Sequence, residues 1–150
     1  MDNSSAATPD GFTDVEREAI RQRAAELRQD ARRGTGADKA AADEEDVLRV
    51  IADLPQPDRA IAEHLHAVVA VQAPDLSPRL WYGMPAYARD GKILCFLVSA
   101  QKEKARYSSL GFNPEANLDE GAMWPTAFAI TELTEASAAA IGALVRKAAG

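Results

Sequence analysis

Hydrophobic and polar positions follow a helical period in the first half of the chain and a strand period in the second. After Phe12, Thr13 and Glu16 stand at the spacing that lets each side chain satisfy the other's backbone N–H at a helix start. Ile20, Ala24, Leu27 and Ala31 then recur at helical intervals as a narrow apolar stripe, and Arg28, Arg32 and Arg33 fall where the helix dipole favours cations. Gly34 ends this helix. A second is predicted from Asp43 to Leu54, with Val47, Ile51 and Leu54 on one face and Pro55 and Pro57 breaking it. Asp58 is placed to cap a third, in which Ile61, Leu65, Val68, Val69 and Gln72 keep the period up to Pro74.

From Tyr87 the pattern shortens. Asp90-Gly91 supplies the two positive-φ positions of a type I′ hairpin, which pairs Arg89 with Lys92, Ala88 with Ile93, Tyr87 with Leu94, Ala86 with Cys95 and Pro85 with Phe96. On that register Tyr87, Leu94, Pro85 and Phe96 share one face and Ala86, Ala88, Ile93 and Cys95 the other, so the second strand is expected to be central and covered on both sides. Ala105 to Phe112 reads as a third strand, Asn113 to Asn117 as a loop and Thr126 to Ile130 as a fourth strand. Thr134 caps a final helix with Ala138, Ile141, Val145 and Ala148 along its buried side. The expected fold is α+β: an antiparallel β-sheet of about four to five strands packed by helices, with an extra N-terminal helix. Residues 1–12 read as a disordered tail, 13–36 as a helical extension and 37–150 as the α+β domain.

Composition narrows the class. The 150 residues suffice for one hydrophobic core without a metal or disulfide staple, and the single cysteine, Cys95, sits in an apolar run where packing is its expected role. The net charge of −6 opposes attraction to phosphate backbones, so nucleic acid is an unexpected partner. The start, MDNSSAATPDGF, has no apolar segment of the signal or transit type, and Asn3-Ser4-Ser5 matches a glycosylation triplet by coincidence. No apolar run approaches the roughly 20 residues of a membrane span. These features together predict a cytoplasmic protein with no membrane partner.

Candidate chemistry is sparse. His64 and His66 lie on different sides of their helix and cannot share a metal; His64 is expected to be a hydrogen-bonded residue at the core's rim. Gly34-Thr35-Gly36 lacks the lysine and the preceding strand of a phosphate loop, and no nucleophile elbow or metal-spaced cluster is present, which disfavours a conventional enzyme. Asp43, Glu44, Glu45 and Asp46 form the densest acidic run, either a surface for hard cations such as iron or a helix start complementing its dipole. The strongest signal is aromatic. Trp81, Tyr82, Met84 and Tyr87, read as one strand, meet Phe96 across the hairpin and Tyr107 and Trp124 from other strands. Arg106 or Lys104 can neutralise an anion there. The group is either core packing or the wall of a site for a small molecule or protein partner.

Leu80-Trp81-Tyr82-Gly83-Met84-Pro85-Ala86-Tyr87, followed by Asp90-Gly91-Lys92 and an apolar strand, resembles the Trp-x-Gly-Met-Pro-x-Tyr/Phe…Gly-Lys pattern of the YdhG-like family. The likeness extends over most of Asp46 to Ala149 and leaves the N-terminal helix outside it. It implies helices packed on an antiparallel sheet, a layout likened to frataxin. Some relatives are described as iron chaperones acting through acidic surface residues, which implies, for this chain, iron on Asp43, Glu44, Glu45 and Asp46 as the alternative to a ligand beside the WYGMPAY segment.

Overall fold

A computed structural model describes residues 11–150; the expected tail and its Asn3-Ser4-Ser5 triplet, apart from Gly11 and Phe12, lie outside them. The element order is α1 (Asp14–Arg33), α2 (Ala37–Ala52), α3 (Asp58–Gln72), β1 (Ser77–Trp81), β2 (Met84–Arg89), β3 (Lys92–Val98), α4 (Ala100–Glu103), β4 (Ser108–Phe112), β5 (Ala127–Ile130) and α5 (Glu135–Ala149). The strands form one antiparallel meander in sequence order, β1-β2-β3-β4-β5, and the class is α+β with an N-terminal helix.

Local chemistry starts and stops the helices. Thr13 Oγ1 accepts the Glu16 N–H at 3.0 Å while Glu16 accepts the Thr13 N–H at 2.9 Å, completing the expected capping box. Gly34 closes α1, and Thr134 caps α5 with Ser137 as its reciprocal partner. Two expectations are corrected. Helix α2 begins at Ala37, six residues before Asp43, because Ala40, Ala41 and Ala42 extend the helix without needing a buried face. Asp58 is the first helical residue of α3, not its cap; its buried carboxylate instead accepts the Gln101 N–H at 3.0 Å.

The core lies on one face of the sheet. Tyr87, Cys95, Leu97, Leu110 and Ile130 pack there against Val47 and Ile51 of α2, Ile61, Leu65 and Val69 of α3, and Ile141 and Val145 of α5. Each large apolar side chain so buried contributes about 1.5–3 kcal/mol relative to exposure. On the opposite face Phe96 lies over Gly111, where an added Cβ would meet its ring at 2.5 Å. Glycine at that position gives the ring its seat.

The expected hairpin register holds for Arg89↔Lys92 and Ala88↔Ile93 and then slips. A bulge between Tyr87 and Ala88 leaves Leu94 unpaired, so that Tyr87 faces Cys95 and Ala86 faces Phe96. The slip moves Phe96 off Tyr87's face, and it puts both Leu94 and Cys95 into the core. A second correction concerns the WYGMPAY segment, which is not one strand. Tyr82 and Gly83 have φ of 53° and 78°, matching Asp90 and Gly91 at 52° and 81°. The segment is thus a tight β1–β2 hairpin.

Helix α1 docks by an unexpected face. Its apolar stripe points to solvent, with Ile20 44% and Leu27 52% exposed, and no residue of the helix is buried. Polar side chains at the complementary positions hold it instead. Asp30 pairs with Arg79 and Lys39, and Arg33 with Asp43 and Asp46, each of the latter at 2.7 Å.

Candidate functional site

The Tyr82–Gly83 turn sits where α1 crosses the sheet's β1 edge. Tyrosine in the left-handed region is uncommon and costs on the order of 1–3 kcal/mol. Glu26 offsets that cost: its carboxylate accepts the Tyr82 N–H at 2.9 Å and the Gly83 N–H at 2.6 Å. Bonds to an ionised acceptor are about twice as strong as neutral ones. Arg23 adds a 3.3 Å contact to the same carboxylate and brings its guanidinium within 5.8 Å of the Tyr82 ring centroid.

Beside this turn opens a cleft of about 420 Å³, within the size range of small-molecule sites. Its floor is apolar, made by Val15 of α1, Val50 and Leu54 at the end of α2, Met84 and Pro85 of β2, and Leu97 of β3. Gln22, Ser99, Gln101, Lys102 and Lys104 supply polar groups on one side, and Asp14, Glu18 and Asp53 also reach the lining. The short helix α4 places the lysines. Ser99 caps it by accepting the Lys102 N–H at 3.1 Å, Asp58 accepts from Gln101, and Ser108 Oγ accepts the Ala100 N–H at 3.0 Å. Lys102 Nζ then donates to Gln22 Oε1 at 2.9 Å, across from α1. Neither Lys102 nor Lys104 has a carboxylate partner among the described residues, whereas Arg33, Lys39, Arg79 and Arg89 all do.

The residues expected to form one aromatic site are divided among several places. Met84 lines the cleft. Trp81 packs edge-on against Phe96 at 5.2 Å between centroids, and with Arg23, Arg79 and Lys92 borders a shallower hollow of about 310 Å³. Tyr87 is fully buried on the helix-covered face. Trp124 packs at the edge of the core, and Tyr107 is exposed with Arg106 stacked 5.2 Å from its ring centroid. Tyr87, Phe96, Tyr107 and Trp124 therefore enclose no common cavity: the bulge puts Tyr87 and Phe96 on opposite faces, and Tyr107 and Trp124, expected on strands, lie in the loops before β4 and β5.

The acidic run is divided as well. Asp43 and Asp46 turn toward Arg33, with Lys39 and Arg49 completing the group, while Glu44 reaches His66 and Glu45 is exposed. Partial burial pushes Asp46 up, but hydrogen bonds and charge from Arg33 and Arg49 outweigh it and hold its carboxyl below the usual range. Among the described residues no three His, Cys, Asp or Glu side chains are grouped as metal ligands.

One further constellation joins α2, α3 and β2. His66 Nε2 lies 2.9 Å from Glu44 Oε2, and Nδ1 lies 2.9 Å from Tyr87 Oη. A carboxylate can only accept, so in the neutral ring Nε2 carries the proton and Nδ1 accepts from the phenol. Burial, then the nearby Cys95 and Glu44, raises the Tyr87 phenol far above its usual range and keeps it a donor. Burial likewise pushes the Cys95 thiol up to about 12 and leaves it unreactive. His64, as expected, sits at the core's rim, its Nε2 3.0 Å from the Ala138 carbonyl. What sequence reasoning missed at the cleft is Gln22, Glu26 and Lys102. For Gln22 and Glu26 the one signal was a polar stripe on α1 as regular as the apolar one, with Gln22, Glu26 and Arg33 at helical spacing, and Lys102 on α4 had none.

Fold and site together define a class: an α+β domain with helices on one face of an antiparallel meander and a ligand-sized cleft at its first hairpin. No protein-family model, curated protein or solved structure matches the chain. No helix among the described residues is long and apolar enough to cross a membrane.

Proposed function

We propose that this chain is a small-ligand binding domain of the YdhG-like kind, whose site is the cleft between α1, the end of α2, the WYGMPAY hairpin and α4. The observation that carries the reading is the cleft's construction: an apolar floor including Met84 and Pro85, with Lys102 and Lys104 among its lining residues. Asp14, Glu18 and Asp53 also line the cleft, and Lys102 and Lys104 are the cations that face a ligand among them. Such a site suits an amphipathic molecule with an apolar body and a carboxylate end, the floor supplying affinity and the lysines orientation. Octanoate serves as the probe. It should raise the thermal midpoint in proportion to its concentration, and Val50→Trp, which fills the cleft from a half-buried position, should abolish the rise while the protein stays folded. An unchanged midpoint at millimolar octanoate, or a rise that Val50→Trp leaves intact, would remove the cleft from consideration.

A further inference from the structure

The Glu26 carboxylate occupies a place that an anionic ligand could also use. It is bound by two consecutive turn N–H groups at 2.9 and 2.6 Å, and both donors belong to a turn whose Gly83 lines the cleft. Successive N–H groups of a positive-φ turn make a concavity with partial positive charge, suited to a carboxylate whether or not it belongs to the chain. Next to it, the Lys102 ammonium is held by the neutral Gln22 amide, not by an acid. The Gln22 amide also lies against Gly83, so a carboxylate that takes the place of Gln22 on Lys102 stands next to the turn whose donors Glu26 fills.

Glu26 is held by polar contacts, and the apolar side chain that α1 adds to the cleft floor, Val15, is only half-buried. Helix α1 buries no residue and is fastened by Gln22, Glu26, Asp30 and Arg33, all of whose partners are polar or charged. Contacts of this kind exchange with water and ions at small net free energy, unlike the packed core of α2, α3 and α5.

Resting on the cleft reading above, we infer that Glu26 is a built-in competitor: the Tyr82–Gly83 donors and Lys102 form a carboxylate site, and a ligand takes it by displacing Glu26 and loosening α1. The apparent affinity is then the intrinsic affinity reduced by the fraction of molecules in which Glu26 is out of the site. Removing the competitor should tighten binding without any new contact.

Octanoate titrated into the full chain tests this. In the unaltered protein, saturation should shift the Tyr82 and Gly83 amide resonances and speed amide exchange along α1. Glu26→Gln should bind about tenfold more tightly, as expected if the Glu26-seated form dominates by about that factor. Arg33→Gln loosens α1 from its far end, away from the cleft, and should also tighten binding. It keeps the test decisive if Glu26→Gln folds poorly. Octanoate binding with equal affinity to all three proteins, with α1 exchange unchanged at saturation, would overturn the competition and leave the cleft reading standing. No binding to any of them would overturn both.

Discussion

Thr13 with Glu16, and Thr134 with Ser137, complete their caps inside one helical turn. Tyr82 adopts a conformation its own chemistry disfavours, and the group that stabilises it lies on α1, 56 residues earlier. No local rule would pair them. The stability of α1's seat should depend on Glu26. Glu26→Ala leaves two turn N–H groups without their acceptor and should lower stability by about 1–3 kcal/mol in urea unfolding. Ile20→Ser and Leu27→Ser, on the exposed stripe, should each stay within about 0.5 kcal/mol. Equal losses for all three would mean that the apolar stripe is buried after all.

At the scale of elements, period was a sound guide to type and to the buried faces of α2, α3 and α5, and it failed for the face of α1. The amphipathic pattern of α1 marked a helix, yet the face that docks is the polar one, because Asp43, Asp46, Arg79 and the turn amides offer charged partners. The β2–β3 hairpin was legible as far as the Asp90–Gly91 turn fixes it, to Ala88↔Ile93. Beyond that, burying both Leu94 and Cys95 wins over regular pairing and the bulge results. The α1–α2 junction also has a pH signature. Asp46 titrates lower when folded than when free, so its contribution is complete above the unfolded value of about 3.9 and is lost as pH falls through the folded one. Amide exchange of the C-terminal half of α1 should accelerate as pH falls below the unfolded carboxylate value of about 3.9, and Asp46→Asn should weaken that dependence. A flat profile would show that the junction does not rely on this carboxylate.

Across the whole molecule, two kinds of attachment coexist. Helices α2, α3 and α5 are joined to the sheet by a continuous apolar cluster, whereas α1 is joined by ions and hydrogen bonds. Salt should separate them. At about 1 M NaCl, where the screening length is near 3 Å, exchange along α1 should speed while protection of Ile61, Leu65 and Val69 in α3 stays level. Parallel loss in both helices would indicate one cooperative unit. Strands β2 to β5 and the four long helices were legible because each needs only its own periodicity and a turn signal, whereas β1 and the single-turn α4 were not, and β4 begins at Ser108 instead of Ala105. The cleft was not legible, because it is bounded by residues from α1, α2, two strands and α4 that come together only through the fold. The aromatics that stood out in the sequence mostly serve turns and packing.

The inverted docking of α1 bears on how the sequence can change over evolutionary time. In most helices lying against a domain, selection for folding holds apolar positions and lets polar ones drift. Here the fold constrains Gln22, Glu26, Asp30 and Arg33, while Ile20 and Leu27 are free of it. Among descendants of this gene the polar stripe should therefore be the slowly varying one, and an exchange at Glu26 should be accompanied by a glycine or asparagine at Tyr82, residues that hold a left-handed backbone without a carboxylate's help.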